Sequence, residues 1–239
     1  MNTLAQFESL LDLLGSRKTP AQISVEDWEG IVDQSLRHGV GTILLKRLEE
    51  GGEIVNVPAE PRRKLVAEKL RIAVENTKLF VELAVVLNAF REENIPAVVL
   101  KGAHLSELVY GNISLRPMDD IDLLIKNDDL RKVEKKFAAL GYLQSEDDAN
   151  RMRSVDPHHL TPFRKEGCKP IEVHWTLPSM DAAGVEGFWE RARRVEMAGC
   201  TALILSPEDL LIHLSVHASL HHRFGAGLRP LCDIAAAID

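Results

Sequence analysis

The sequence predicts a mixed α/β protein in which helical regions flank a central segment of short strands. Apolar residues recur at helical spacing through the first part of the chain. Short runs of β-branched residues bounded by proline and glycine follow, and helical spacing returns near the end. We therefore expect a helical N-terminal region at 1–93, a core at 94–205 and a helical C-terminal region at 206–239.

The composition is that of an ordinary globular protein and disfavours several classes of function. The 239 residues are 45% hydrophobic and 27% charged, and the net charge of −7 disfavours a long nucleic acid as partner. Three widely spaced cysteines without a CxxC pair indicate neither a disulfide framework nor a zinc site. No apolar run approaches the ~20 residues of a membrane-spanning helix, and the N-terminus does not resemble a signal peptide. We expect a cytoplasmic protein without a membrane partner.

Three helical segments make up the predicted N-terminal region. The first, FESLLDLLG, stops at Gly15, and the second begins at the cap-like Ser24 and ends at the glycine pair 51–52. The third, from Pro58 to Ile95, is predicted as one long helix or two nearly collinear ones. Its predicted core-facing stripe consists of Leu65, Leu70, Ile72, Leu79, Leu83, Val86 and Leu87.

The central segment begins with two strands and two helices. IPAVVL and IDLLI are predicted as buried strands because they are short, apolar and bounded by turn residues. GAHLSELVYGN between them is predicted as a short helix that stops at Gly111. NDDLRKVEKKFAALGY predicts a helix capped by Asn127 or Asp128. The charged stretch from Leu143 to Asp156 is predicted as a loop.

Further strands complete the central segment, and two helices form the C-terminal region. HHLTPF, KPIEVHWTL and CTALIL are predicted strands, and VEGFWERARRV is a predicted helix. SPEDLLIHLSVHASLHHRF predicts a helix with Ser206 as its cap and Pro207 in its first turn. RPLCDIAAAID begins a last helix.

The stretch DDIDLLI places acidic residues at the start of a buried strand. In a strand, the side chains of Asp120 and Asp122 fall on the same face. Two carboxylates held together without a basic neighbour repel each other, so one would take up a proton or both would bind a cation. Mg²⁺ suits this position because it prefers carboxylate oxygens and leaves room for substrate phosphates. Asp119 is interpreted as a solvated neighbour or as a residue that orients the ligands.

A second acidic signal, IEVHW, lies fifty residues downstream of Asp122. Glu172 and His174 share one face of this predicted strand, and the apolar residues of the motif share the other. Because an unpaired buried carboxylate is costly, Glu172 needs a partner. A sheet that brings Glu172 next to Asp120 and Asp122 would surround a metal pair with three carboxylates.

Upstream, VVLKGAHL joins a predicted strand to a helix through Lys101 and Gly102. The N–H groups at a helix N-terminus bind anions, Gly102 would let a phosphate approach the backbone, and Lys101 supplies positive charge. Such turns are common, so this motif alone is weak evidence for a phosphate site.

The order of these motifs resembles that of a known family. AVVLKGAHLSELVYGNISLRPMDDIDLLI at 97–125, together with IEVHWTL at 171–177, is similar to the uncharacterised nucleotidyltransferase family of the polymerase-β-like superfamily. PEDLLIHLSVHASLHH and LRPLCDIA resemble the helical part that follows in that family. The resemblance covers roughly residues 60–239, and 94–205 would be the catalytic core.

The resemblance implies an α/β fold with a small mixed sheet and helices on one of its faces. It also implies transfer of a nucleotidyl group from an NTP such as ATP to a hydroxyl group, with release of pyrophosphate. Carried onto this sequence, it implies that Asp120 and Asp122 hold two Mg²⁺ ions, with Mn²⁺ as an alternative. Glu172 would bind the metal nearer the acceptor and help to deprotonate its hydroxyl, and Gly102 would lie at the triphosphate turn.

The sequence departs from the superfamily pattern at two positions. KGA replaces the usual Gly-Ser or Gly-Gly at the turn, so the hydroxyl that contacts the phosphate is missing. Lys101, Ser106 and Arg116 are the candidates to bind the nucleotide in its place, although Arg116 could instead form a salt bridge that steadies the loop. Glu172 stands where Asp is more usual and reaches one methylene further.

Two alternatives of other classes remain open. The chain could be a non-catalytic regulatory module that binds nucleotide without turnover, for which the missing turn hydroxyl is an argument. It could also be a metal-dependent phosphohydrolase, because three histidines lie four residues apart on one predicted helix face, with Asp233 as a nearby acid. These histidines are His213, His217 and His221.

The residues predicted to line the cleft are His159, His174 and His217.

The partners are only partly constrained by the sequence. The resemblance implies an NTP donor, whereas the acceptor is open among a sugar phosphate, an antibiotic-like small molecule, a protein side chain and an RNA end. The acidic net charge disfavours the last of these.

Overall fold

The computed structural model, which describes residues 3–145, 160–177, 180–221, 223 and 225–238, contains a mixed sheet of seven strands surrounded by helices. This arrangement confirms the predicted mixed α/β class. The strands are β1 (Ala97–Val99), β2 (Ile121–Ile125), β3 (Leu143–Gln144), β4 (Phe163–Arg164), β5 (Ile171–His174), β6 (Arg193–Met197) and β7 (Cys200–Ile204). The α-helices are α1 (Thr3–Leu14), α2 (Trp28–Arg37), α3 (Gly41–Glu50), α4 (Ala59–Glu92), α5 (Lys101–His104), α6 (Leu130–Ala139), α7 (Ala182–Arg191), α8 (Pro207–Val216) and α9 (Arg229–Ile238).

The sheet has the strand order β3-β4-β5-β2-β1-β7-β6. β2 pairs in parallel with β5 and antiparallel with β1, and β1 pairs in parallel with β7. β6 and β7 form an antiparallel hairpin. The starts of β2 and β5 and the end of β1 therefore meet at one edge of the sheet.

The N-terminal helices form a core of their own. Leu10, Trp28, Ile31 and Leu44 are almost fully buried and pack together with Leu65 of α4. α4 is a single helix of 34 residues that runs from this core onto the sheet. Despite this length, none of the described helices is both long and apolar enough to cross a membrane.

Side chains of the central strands alternate between two further cores. Ile121, Leu123 and Val173 belong to the core that the sheet forms with α4 and α6. Val98 and Leu124 belong to a core on the other face, which includes residues of α7 and α8. Helices therefore cover both faces of the sheet, whereas the resemblance implied helices on one face.

The helix predicted from VEGFWERARRV begins and ends earlier in the chain than expected. It ends at Arg191, and the residues from Arg193 onward pair with β7 as the edge strand β6. Ala198 and Gly199 form the turn of this hairpin with φ angles of 52° and 71°. Both angles lie in the left-handed region that a two-residue type I′ hairpin turn requires. Strand pairing thus overrides the local helical pattern.

Other predicted details have mixed outcomes. Ser206 caps α8 as predicted, since its Oγ accepts a hydrogen bond from the Asp209 N–H at 3.2 Å. The predicted side-chain cap of α6 by Asn127 or Asp128 was wrong, because a 3₁₀ turn precedes the helix. Leu70 was also assigned wrongly to the core-facing stripe of α4, because its side chain is exposed.

Two predictions lie partly outside the described residues. Of the predicted strand HHLTPF, Phe163 belongs to β4, while His158 and His159 fall outside the described ranges. The predicted loop at 143–156 begins with β3, and 146–156 fall outside.

The loop that precedes the acidic cluster is held from three sides. Thr42 of α3 donates its hydroxyl to the Leu115 carbonyl, and the Asn76 amide of α4 donates to the Arg116 carbonyl at 2.8 Å. The Arg116 guanidinium donates two hydrogen bonds of 2.9 Å to the Asp233 carboxylate of α9. Both helical regions therefore position the start of β2.

Replacing Asp233 with alanine is expected to lower the free energy of unfolding by about 3–5 kcal/mol, because the buried Arg116 guanidinium would lose its counter-charge. The Tyr110 hydroxyl, 3.0 Å from Asp233 Oδ1, would lose its acceptor as well. Urea denaturation followed by circular dichroism measures the change. The control is Glu186→Ala, which breaks an exposed pair with Lys126 and should cost less than ~1 kcal/mol. Equal losses in the two variants would contradict a structural role for the buried pair.

Candidate active site

Two acidic side chains lie next to each other on neighbouring strands. β2 and β5 are parallel, and their register sets Asp122 opposite Glu172. The apolar neighbours of these residues belong to the core beneath α4, so the carboxylates lie on the opposite face of the sheet, together with His174. Ligand atoms of the three side chains lie within 4.8 Å of one another. This spacing is small enough for one metal ion to bind all three.

Lys101 enters the same site from the end of β1. Because β1 is antiparallel to β2, the residues that follow β1 lie beside the start of β2. The Lys101 ammonium donates a hydrogen bond to Asp122 Oδ1 at 2.8 Å, and His174 Nε2 lies 2.9 Å from the same oxygen. His174 Nε2 is also 3.8 Å from Glu172 Oε2. Two nitrogen groups therefore fix one oxygen of Asp122.

The backbone at this turn is unusual. Lys101 has a φ of 34°, which is uncommon for a residue other than glycine. Such strain persists only where the surroundings hold it, and it clusters at functional sites. A Cβ on the next residue, Gly102, would lie 3.1 Å from Arg116 Nη1 and 3.2 Å from Met118 Sδ. Close packing against Arg116 and Met118 therefore disfavours a larger residue at position 102, whether or not a phosphate binds there.

The carboxylates of the cluster differ in their ionisation. Burial opposes ionisation of Asp122, but the Lys101 ammonium and the hydrogen bond from His174 outweigh it and lower the pKa of Asp122. Burial, together with the charges of Asp122 and Glu172, raises the pKa of Asp120 to about 7. Burial also lowers the pKa of His174, against the opposing effect of Asp122. Asp122 is therefore an anion at neutral pH, with a neutral imidazole beside it.

Other predicted site residues lie elsewhere. Arg116 is engaged in its buried salt bridge with Asp233, which agrees with the interpretation that it steadies the loop. Ser106 is fully buried, and its hydroxyl lies 3.5 Å from the Ile113 carbonyl oxygen. Asp119 points its side chain mostly into solvent. These placements give no support to nucleotide contacts by Arg116 or Ser106.

The histidines of the C-terminal region do not form a metal site in the described part of the chain. His213 is buried, which lowers its pKa well below the ordinary value, and its ring centroid lies 6.2 Å from that of His217. Among the described residues, the one group of three metal-ligating side chains includes neither of them. His159 and the side chain of His221 lie outside the described residues. Because Asp233 is bound by a guanidinium, the phosphohydrolase alternative gains no support.

Sequence reasoning missed the ion pair between Lys101 and Asp122. The acidic cluster was expected to have no basic neighbour, and Lys101 was expected near phosphate. The antiparallel pairing of β1 with β2 brings the two side chains together, and a strand order would have been needed to predict this. The alternation in IEVH did place His174 on the face of Glu172, where the structure has it.

A family comparison decides the class of the protein. The model of the uncharacterised nucleotidyltransferase family matches residues 24–239, which is most of the chain. The chain belongs to this family. The resemblance of the motifs is thereby confirmed, and so is the expected enzyme class, a nucleotidyltransferase. Comparison of the chain with curated proteins gives no significant match.

Solved structures with a similar chain path include antibiotic-modifying enzymes. The solution structure of the antibiotic-resistance factor ANT(2'')-Ia has a TM-score of 0.48 at 14% identity and covers 68% of this chain and 83% of its own. The lincosamide antibiotic adenylyltransferase LnuA, bound to lincomycin, has a TM-score of 0.46 at 16% identity. The match covers 66% of this chain and 95% of LnuA. An antigenic nucleotidyltransferase-like protein from Paracoccidioides brasiliensis has a TM-score of 0.38 at 17% identity. The match covers 67% of this chain and 75% of that protein.

His104 of α5 should make the stability of the protein depend on pH. Its side chain is buried, its Nδ1 has no hydrogen-bond partner among the described residues, and burial lowers its pKa from 6.5 to about 4. Between these values the unfolded chain binds a proton that the folded chain does not bind, so stability falls as the pH decreases. We expect His104 to account for a loss of up to about 3 kcal/mol between pH 6.5 and 4, measured by urea unfolding.

The variant His104→Gln isolates this contribution because it removes the titrating ring and keeps a polar side chain. Its unfolding free energy should decline less steeply over the same pH range than that of the wild type. An equally steep decline in the variant would show that other groups cause the acid sensitivity.

Proposed function

We propose that this protein transfers a nucleoside monophosphate from an NTP to a hydroxyl group of an acceptor, with the help of divalent cations, and releases pyrophosphate. The observation that carries the proposal is the pairing of Asp122 with Glu172 on adjacent parallel strands, beside Lys101. Paired carboxylates supply ligands for cations, and the lysine supplies positive charge for phosphate oxygens. Membership of a nucleotidyltransferase family supports the same class of reaction.

The donor set suits cations that prefer oxygen ligands. Asp122 and Glu172 offer carboxylate oxygens, and both charges act on the nearby Asp120. Lys101 and His174 both contact Oδ1 of Asp122, so Oδ2 can still serve as a ligand. Carboxylates combined with substrate phosphates are typical of Mg²⁺ sites, and an imidazole is also compatible with Mn²⁺. We therefore propose two Mg²⁺ ions, or Mn²⁺, as cofactors.

The reaction would be an in-line displacement at the α-phosphorus of the NTP. The acceptor oxygen forms a bond to this phosphorus, the bond to the β-phosphate oxygen breaks, and pyrophosphate leaves. Bound cations would neutralise phosphate charge and lower the pKa of the acceptor hydroxyl. Glu172, half-buried in β5, is assigned to receive the hydroxyl proton, and Lys101 to offset the negative charge that develops on the phosphates.

The acceptor is proposed to be a small molecule or a protein side chain that carries a hydroxyl group. The net charge of −7 disfavours a long nucleic acid. ATP is the first donor to test. The three cysteines are free, which fits the proposed location in a reducing cytoplasm.

A non-catalytic nucleotide-binding module is the second candidate, and one observation favours it. The turn after β1 contains no hydroxyl residue, and Ser106, a candidate to replace it, has its hydroxyl near the Ile113 carbonyl. Such a module would bind NTP and a cation without releasing pyrophosphate. Turnover therefore separates the two candidates.

Calorimetry with ATP, GTP, CTP and UTP tests the cation site. We expect the wild type to bind at least one NTP with Mg²⁺ and to lose this binding when a chelator is added. The double variant Asp122→Asn/Glu172→Gln should raise the Kd for that NTP by roughly 100-fold or more, because the ligands of the cation are lost. The matched control is Asp128→Asn, an exposed acid beyond the other end of β2, which should bind like the wild type.

Two outcomes of this experiment would contradict the proposal. NTP binding that does not depend on Mg²⁺ would exclude the carboxylate site, as would equal binding by the double variant. Binding without pyrophosphate release, across a panel of hydroxyl-bearing acceptors, would instead favour the non-catalytic module.

Removing the His174 ring tests whether this residue supports the cation site. Because its Nε2 holds Asp122, His174→Ala should weaken Mn²⁺ binding by roughly 10- to 100-fold, the usual effect of losing such a contact. Electron paramagnetic resonance of free Mn²⁺ measures the affinity. His217→Ala should bind Mn²⁺ like the wild type, and a large loss in that variant would favour the phosphohydrolase alternative.

A further inference from the structure

The solvent-facing side of α4 is apolar. Its residues recur at helical spacing and form one stripe, here called the α4 stripe, which extends over roughly 29 Å of the helix. A helix on the surface of a monomer normally turns polar residues to solvent, and contiguous exposed apolar surface marks an interaction site. The residues of the stripe are Val66 (41% exposed), Leu70 (63%), Val74 (55%), Val81 (61%) and Val85 (42%).

The α4 stripe is separate from the side of the helix that supports the fold. Leu65 packs with the N-terminal helices, and Leu79, Leu83 and Val86 pack against the sheet. These residues are almost fully buried, whereas every residue of the stripe is more than 40% exposed. The helix thus has two apolar sides, and the folded chain covers one of them. The second side is left exposed by the described part of the chain and is available to another surface.

We propose that two copies of this chain associate through their α4 stripes, antiparallel around a twofold axis. A twofold interface requires a patch that is complementary to itself. An axis at the centre of the stripe satisfies this requirement, because it sets apolar positions of one copy opposite apolar positions of the other, with one threonine methyl group included. The opposed pairs are Val66 with Val85, Leu70 with Val81, and Val74 with Thr77.

The charges along α4 favour the antiparallel direction. Residues 59–71 contain five basic and two acidic side chains, a net charge of +3, whereas 72–93 contain two basic and four acidic ones, a net charge of −2. Several of these charges pair within the chain, Lys64 and Lys69 with acids of α2 and α3, and Glu82 and Glu93 with Lys165 and Lys136. The contrast that remains lies at the two ends of the helix. Antiparallel packing sets Arg62 and Arg63 of one copy near the exposed Glu92 of the other, and parallel packing would bring like charges together. The same register sets Glu60 opposite Arg91 beyond the ends of the stripe.

Sedimentation velocity of the full chain tests the association. We expect the wild type to form a dimer, twice the chain mass of 26.6 kDa, in a concentration-dependent manner. The variant Leu70→Glu/Val81→Glu should raise the dimer Kd by roughly 100-fold or more, because twofold symmetry duplicates each substitution. Both side chains are exposed, so the fold should persist, which circular dichroism checks. Leu143→Glu, at a leucine of β3 that is 75% exposed, is the matched control and should dimerise like the wild type.

A wild type that remains monomeric at every concentration would overturn the proposal. A dimer that persists unchanged in the Leu70→Glu/Val81→Glu variant would also overturn it, because the interface would then lie elsewhere. NTP binding does not enter either result, so the dimer and the proposed reaction fail independently.

Cysteine cross-linking tests the register. A mixture of Val66→Cys and Val85→Cys chains should form a disulfide between the two positions under mild oxidation. Either variant alone should not, because identical positions would lie roughly 29 Å apart in the antiparallel pair. Peptide mass spectrometry distinguishes this bond from bonds to the native cysteines. Links between identical positions would indicate parallel packing and contradict the proposed geometry.

Discussion

The buried carboxylate of Asp122 imposes the constraint on which the site depends. It lies on a strand that is buried along its whole length, so its charge must be balanced within the protein. Lys101 supplies a positive charge and His174 a hydrogen bond, both at the same oxygen. Glu172, opposite Asp122 on β5, adds a second acidic group. Asp120 adds a third, close enough for the charges of Asp122 and Glu172 to raise its pKa. One ammonium does not neutralise this set, and the divalent cation of the proposed reaction would offset the remaining negative charge.

Residues from distant parts of the chain hold Asp122 in position. The loop before β2 is held by Thr42 of α3, Asn76 of α4 and Asp233 of α9, so three helices fix the position at which the acidic strand begins. The N-terminal helices are therefore part of the framework of the site. α4 has a central role because it packs on the sheet, binds this loop through Asn76 and presents the α4 stripe to solvent. A second copy bound at the stripe would contact the same helix that positions the site.

Of the three carboxylates that the sequence predicted around the metal, Asp122 and Glu172 carry a signal that is local, and the structure groups them with His174. In IDLLI and IEVH the period of two assigns Asp122 and Glu172 to defined strand faces, and only the adjacency of the strands had to be supplied by the resemblance. The contact of Lys101 with Asp122 depends on strand order, which no local pattern encodes. Arg116 had two interpretations, and its partner Asp233 lies 117 residues away in the chain. The edge strand β6 was missed because hairpin pairing overrides the helical pattern of its residues.

The most direct test of the site is a crystal structure of the protein with Mn²⁺ and a non-hydrolysable NTP analogue. We predict anomalous scattering from Mn²⁺ within coordination distance of the Asp122 and Glu172 carboxylates, with the triphosphate beside Lys101. Mn²⁺ bound at His213 and His217 instead, or an analogue bound away from the carboxylates without a cation, would contradict the assignment of this cluster as the centre of nucleotidyl transfer.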